Sequence, residues 1–129
     1  MYVAVGSSVT FTWNYSGALY QIDWGLKSTD INDIDTILVS LTTFGMLPVN
    51  PPVPAEFKRR VNGSITATSS SGQAIFTLND IKTYDQRIFG CKIESTDAIP
   101  DRKFDSVQLV VGGRWLCLQC KVVLVFAVV

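Results

Sequence analysis

The sequence contains no histidine. That absence removes the side chain that most often acts as a general base near neutral pH, and the commonest nitrogen ligand for a metal. A Ser-His-Asp relay therefore has no basis here. Charge is also sparse, at 17% of the chain, and it cancels: 11 Lys plus Arg against 11 Asp plus Glu give a formal net charge of +0. No global field is available to gather nucleic acid or anionic lipid, and Lys58-Arg59-Arg60 is too short a basic run to supply one. Cysteine numbers only 3, an odd count, so not every thiol has a partner within the chain. Cys117 and Cys120 form a lone C-x-x-C with neither a second pair nor a histidine, which does not make a tetrahedral zinc site. Asp30, Asp33 and Asp35 have an oxygen-rich spacing, but the glycine turn and terminal glutamate of a helix-loop-helix calcium site are missing, so they read as a solvated turn. Also missing are a G-x-S-x-G element, a phosphate-binding loop and a dinucleotide glycine fingerprint. No catalytic residue, metal ligand or cofactor site is expected, and the chain is not expected to be an enzyme.

Helical periodicity is equally scarce, with nothing longer than a turn near residues 80–84. What is present is alternation. Val3, Val5, Val9, Phe11 and Trp13 recur at every second position, with Thr10 and Thr12 between the later ones, the pattern of a half-buried strand. Gly6-Ser7-Ser8 interrupts it, which predicts a strand that kinks or changes sheets. Tyr20, Ile22 and Trp24 share a face of the next strand, residues 27–35 are a polar turn, and residues 36–41 form a more continuously apolar strand. Residues 45–54 hold four of the 5 prolines, which excludes a central strand and predicts an extended path along an edge. Further short strands are predicted at 57–61, 64–68, 74–78, 88–93 and 106–111, divided by polar loops at 69–72 and around Pro100-Asp101. With 129 residues, 47% of them hydrophobic, one core and one domain account for nearly the whole chain. Roughly eight or nine strands with regular turn signals make an all-β sandwich or barrel.

The stretch Asp85-Gln86-Arg87-Ile88-Phe89-Gly90-Cys91 resembles the strand-F signature of immunoglobulin domains: an Asp, then an aromatic, then a Cys two residues on. Other segments fall into the same register. Residues 6–11 resemble the start of strand B, Trp24 stands where the family has its core tryptophan on strand C, and residues 74–81, with Leu78, resemble strand E. Arg60 resembles the strand-D arginine that pairs with the Asp before strand F, here Asp85. The resemblance covers about residues 2–112. It implies a variable-type immunoglobulin-like domain over residues 1–112, a two-sheet Greek-key sandwich. The pattern is similar to the membrane-distal domains of invertebrate cell-surface adhesion and allorecognition receptors.

Two departures from the family pattern stand out. Trp13 occupies the position of the strand-B cysteine, so the inter-sheet disulfide is expected to be absent and Cys91 to pack as a small apolar group against Trp13 and Trp24. Phe89 stands where the corner tyrosine would be, with Tyr84 nearby.

The resemblance implies an extracellular, cell-surface recognition or adhesion module. It would bind another protein, including a like domain, through the C-C′-F-G face and the loops at 16–18, 42–53 and 95–102. The alternative is a soluble secreted immune or carbohydrate-binding sandwich. Within those loops Phe44, Met46, Leu47 and Ile99 are candidate interface anchors, set against the reading that they pack under the sandwich. Asn14-Tyr15-Ser16 and Asn62-Gly63-Ser64 match the N-glycosylation triplet. No signal sequence precedes the first strand, so a secreted form is expected to need one that this sequence does not show. Residues 113–129 form an apolar tail ending in an eight-residue run from Val122 to Val129, too short for the roughly 20 residues of a membrane helix. It reads as a truncated span, an extra strand, or sequence foreign to the domain. Any membrane contact is expected only through segments outside the domain, and no nucleic-acid partner is expected.

Overall fold

The computed structural model describes residues 2–16, 19–42, 44–49, 52–67, 71–95, 102–112 and 119–125. Eleven strands follow in order: β1 Tyr2–Ala4, β2 Ser8–Ser16, β3 Leu19–Lys27, β4 Ile34–Thr42, β5 Gly45–Met46, β6 Val61–Ala67, β7 Ser71–Leu78, β8 Ile88–Ser95, β9 Arg102–Gln108, β10 Val110–Gly112 and β11 Gln119–Val125. A 3-10 turn, Thr83–Asp85, precedes β8. The strands form a four-stranded sheet ordered β11-β2-β7-β6, a five-stranded sheet ordered β5-β4-β3-β8-β9, and a parallel pair β1-β10. The two larger sheets are the layers of a variable-type immunoglobulin sandwich.

Alternation explains most of the layering. On β2 the inward set Val9, Phe11, Trp13 and Tyr15 is buried while the residues between face outward. β7 does the same with Ala74, Phe76 and Leu78. The two strands pair antiparallel, Phe11 opposite Phe76 and Trp13 opposite Ala74. From the other sheet come Ile22, Trp24, Phe89, Cys91 and Ile93, all buried. Ring centroids lie 6.0 Å apart for Trp24 and Phe76, 6.3 Å for Phe11 and Phe76, and 6.4 Å for Phe11 and Phe89. Each such contact adds about 0.5–1.5 kcal/mol beyond the area it buries.

The structure departs from the sequence pattern at three places. Val5 is not on an inward face but 53% exposed, because the chain reverses there: Ser7 N–H donates to Ala4 O at 3.2 Å, and Gly6 adopts φ +84°. The break is thus a sheet change, β1 pairing with β10 and β2 with β7. Tyr20 shares a parity with Ile22 and Trp24 yet is also 53% exposed, because the β3–β8 register shifts between Leu19 and Gln21 and Leu19 takes the inward place. Residues 57–60 form no strand. Phe57 and Lys58 both donate backbone N–H groups to Pro54 O, Arg59 takes φ +70°, and β6 begins only at Val61. Phe57 is nevertheless fully buried, set edge-on to Phe89 at 89°.

Cys91 is a buried free thiol. On β8 it lies opposite Trp24 of β3 on one side and Asp105 of β9 on the other. Burial pushes its thiol well above the ordinary value, with Asp105 and Asp23 adding to the shift. Trp13 is buried in the same core, and its indole Nε1–H donates to Oδ2 of Asp105, the β9 residue opposite Cys91, at 3.2 Å.

At the outer edge of the four-stranded sheet, β11 runs parallel to β2, from Gln119 beside Ser8 to Val125 beside Asn14. The C-terminal chain shadows the N-terminal one: Gly112 is registered with Ala4, and Gln119 with Ser8.

Candidate recognition face

The outer surface of the five-stranded sheet follows from strand parity. Opposite the inward residues Ile22, Trp24, Phe89, Cys91 and Ile93, the outward rows are Gln21–Glu94–Arg102, Asp23–Lys92–Phe104 and Gly25–Gly90–Ser106 across β3, β8 and β9. The last row is a notch. A Cβ on Gly25 would lie 2.0 Å from Thr36 O, and one on Gly90 would lie 2.8 Å from the Phe104 ring, so only glycine fits with these neighbours in place. The chain entering β4 folds back over the notch, with Ile34 approaching both glycines. Phe104 and Ile34, both half-buried, therefore form an apolar centre on this face.

Charges flank that centre in pairs. Lys92 Nζ lies 3.3 Å from Asp33 Oδ1 and 3.9 Å from Asp23 Oδ2, and Arg102 lies 3.3 Å from Glu94. Asp23 is only 3% exposed although it faces outward; Ser40 Oγ and Gln21 Nε2 both donate to its Oδ1. The backbone N–H of Ile34, and then Lys92, hold the Asp33 carboxyl below its usual value against the opposing effect of burial. An apolar patch beside satisfied, oppositely charged groups is suited to binding a protein surface: the centre supplies desolvation and the charged pairs supply orientation. Among the described residues no three His, Cys, Asp or Glu side chains converge as a metal site.

The loop anchors read from sequence fall elsewhere. Phe44 is 99% exposed and Met46 67%, at the β4–β5 turn, and Leu47 is half-buried. Met46 and Leu41 border an open groove of about 400 Å³ against Gly63, Ser64 and Ile65 of the opposite sheet. Ile99 lies outside the described residues, as do residues 96–101 around it, 17–18, and Cys117. The structure thus places Phe44 and Met46 at the β5 edge, apart from the Phe104–Ile34 centre that the sequence reading missed. The signal for that centre was available in the alternating Gly90-x-Lys92-x-Glu94 of β8, whose outward parity follows from an inward Cys91.

Arg60 and Asp85 sit at the end of the sandwich away from the β8–β9 connection. Arg60 donates from Nη1 to Asp85 Oδ2 at 2.7 Å and from Nη2 to Oδ1 at 2.9 Å, and the Lys82 N–H donates to the same carboxylate at 2.8 Å. The guanidinium also reaches Glu56 O and Asp80 O, and stacks over Phe57 and Tyr84 at 5.4 and 5.6 Å. Hydrogen bonding to Asp85 raises the Arg60 pKa further. With Asp85 fully buried, this pair holds the turn before β6 against the turn before β8. Asn14 lies in β2 between β7 and β11, and Asn62 is exposed on β6.

This arrangement is the fold of a variable-type immunoglobulin domain. No protein-family profile matches the chain. Nor does any curated protein match it by sequence. Solved structures do match in fold. Murine CRIg shares 10% identity at a TM-score of 0.63, over 87% of this chain and 91% of that one. The V domain of amphioxus IgVJ-C2 shares 16% at 0.58, over 86% and 98%. A VGSC beta subunit analysed for multimeric cell-adhesive interactions shares 14% at 0.58, over 88% and 91%.

Proposed function

We propose that this domain is a non-enzymatic extracellular recognition module that binds another protein, including a like domain, through the outer face of β3, β4, β8 and β9. The observation that carries this reading is the Phe104–Ile34 centre over the Gly25–Gly90 notch, flanked by the Lys92–Asp33 and Arg102–Glu94 pairs. Because each charged pair beside the centre carries both signs, a second copy can set opposite charge against opposite charge without a net field. The cell-adhesive interactions of the VGSC beta subunits, which share this fold, support an adhesive role. The exposed Phe44 and Met46 are secondary contact candidates at the β5 edge. The alternative of a soluble secreted immune or carbohydrate-binding sandwich has no comparable feature in its favour among the described residues.

The test is bead aggregation with the full chain displayed, scored with itself and against a panel of surface proteins. Phe104→Asp and Lys92→Glu are expected to abolish any aggregation or capture seen with the parent, and Phe44→Asp to weaken it. Binding unchanged in Phe104→Asp would move the site off this face. No binding to any panel member would count against recognition itself.

A further inference from the structure

Both triplets that match the N-glycosylation pattern have the residue types the reaction needs, yet the fold treats them differently. The reaction uses an oligosaccharide carried on a lipid pyrophosphate. The Asn side-chain Nδ2 forms a bond to the sugar C1, the C1–O bond to pyrophosphate breaks, and the lipid pyrophosphate leaves with the electron pair while the amide loses one proton; no redox change is involved. A glycan is bulky and solvated, so the asparagine that carries it must stand clear of the folded domain.

We propose that Asn62 is an N-glycan acceptor and that Asn14 is not. Among the described residues β6 is the outermost strand of its sheet, paired with β7. Its parity is set by the core: Val61 and Ile65 pack inward, and Gly63 faces Trp24, whose ring would lie 2.7 Å from any added Cβ. Asn62 and Ser64 therefore both point to solvent from the same face. The Asn62 Oδ1 accepts the Gly63 N–H at 2.9 Å, which turns Nδ2, the atom that would carry the sugar, away from the backbone. Asn14 has none of this freedom. It is half-buried in an interior strand, registered with Gln73 of β7 on one side and Val125 of β11 on the other, and its Oδ1 is buried.

A glycan at Asn62 stands on the sheet opposite the recognition face and beside the open ladder of β6. It would block edge-to-edge pairing there while leaving Phe104 and Lys92 clear. The proposal rests on the extracellular setting of the proposed function.

To test it, the full chain is expressed behind a secretion signal in a eukaryotic cell. Glycosidase-sensitive gel shift is read on both the secreted and the protease-protected lumenal pools. One shift is expected, lost in Asn62→Gln and Ser64→Ala, and kept in Asn14→Gln and Ser64→Thr. No shift in the parent, a shift that survives Asn62→Gln, or a second shift lost in Asn14→Gln would overturn it. The lumenal readout does not need the variants to be secreted. It also needs no binding partner, so its failure leaves the recognition reading standing, and failed bead aggregation leaves the acceptor site standing.

Discussion

The Trp13 indole N–H reaches from one sheet to the other and donates to Asp105 Oδ2 at 3.2 Å, on the strand beside Cys91. A polar tie from a large aromatic thus spans the two layers where the family pattern implies a covalent bridge. Removing the acceptor leaves a buried donor without its partner, a loss of about 1–3 kcal/mol. Asp105→Ala should lower stability by that amount in urea denaturation, whereas Asp105→Asn, which keeps an acceptor oxygen, should lose much less. A double-mutant cycle with Trp13→Phe should show coupling above about 0.5 kcal/mol. Additive losses would deny the tie.

The Cys91 thiol should be silent in the native state. In a Cys117→Ser, Cys120→Ser background, thiol reagent is expected to label nothing until the protein unfolds. Its raised pKa also has a pH consequence. The unfolded chain loses the thiol proton as pH passes the ordinary value of 9.0 while the folded chain keeps it, so the native state binds more protons and stability falls. Tyr15, raised by burial from 10.0, adds a loss of the same sign only at higher pH. Between those values Cys91→Ala should remove a decline of up to about 1.4 kcal/mol per pH unit. An unchanged slope would contradict the assignment.

Breaking the bidentate Arg60–Asp85 pair leaves a charge stranded at a site where Asp85 is fully buried. Arg60→Ala and Asp85→Ala are each expected to lose about 3–5 kcal/mol. Arg60→Lys should rescue little, because one ammonium does not reproduce the fork or the stacking over Phe57 and Tyr84. Thermal and urea unfolding of the three variants checks both points.

The two notch glycines should respond differently. Alanine at Gly25 meets backbone, Thr36 O at 2.0 Å, and should lose more than the about 1–3 kcal/mol typical of overpacking. Alanine at Gly90 meets the far end of the Phe104 side chain, which swings aside. Its stability should stay within about 1 kcal/mol of the parent, while Phe104 chemical shifts move and any face-dependent binding drops. Equal losses at both positions would show the Phe104 ring to be rigidly held.

Alternation made the inward sets of β2 and β7 legible in advance, since both follow from a period of two, while it was the resemblance to immunoglobulin domains that set Cys91 against Trp24. The errors came where local backbone geometry overrides parity. The register shift at Leu19 turned Tyr20 outward, and turns built on Pro54 replaced a predicted strand with a loop that still buries Phe57. The recognition face was read only as a region, since Ile34 covers Gly25 by a fold-back of the chain that no periodicity encodes. The parallel seat of Gln119–Val125 beside β2 is a contact between distant segments, which composition alone left open among several forms.

That seat also reverses the direction in which the chain leaves the domain. β10 heads toward the end that carries the Arg60–Asp85 pair, but β11 returns alongside β2 and brings Val125 level with Asn14, at the end where Leu19 meets Ser95. A tether joined beyond Val125 would therefore hold the sandwich by its β2–β3 and β8–β9 loop end, with the Arg60–Asp85 end pointing outward. In that pose the loops that variable-type domains usually present would be turned toward the anchor. The flat side of the five-stranded sheet would remain available to a neighbour standing alongside.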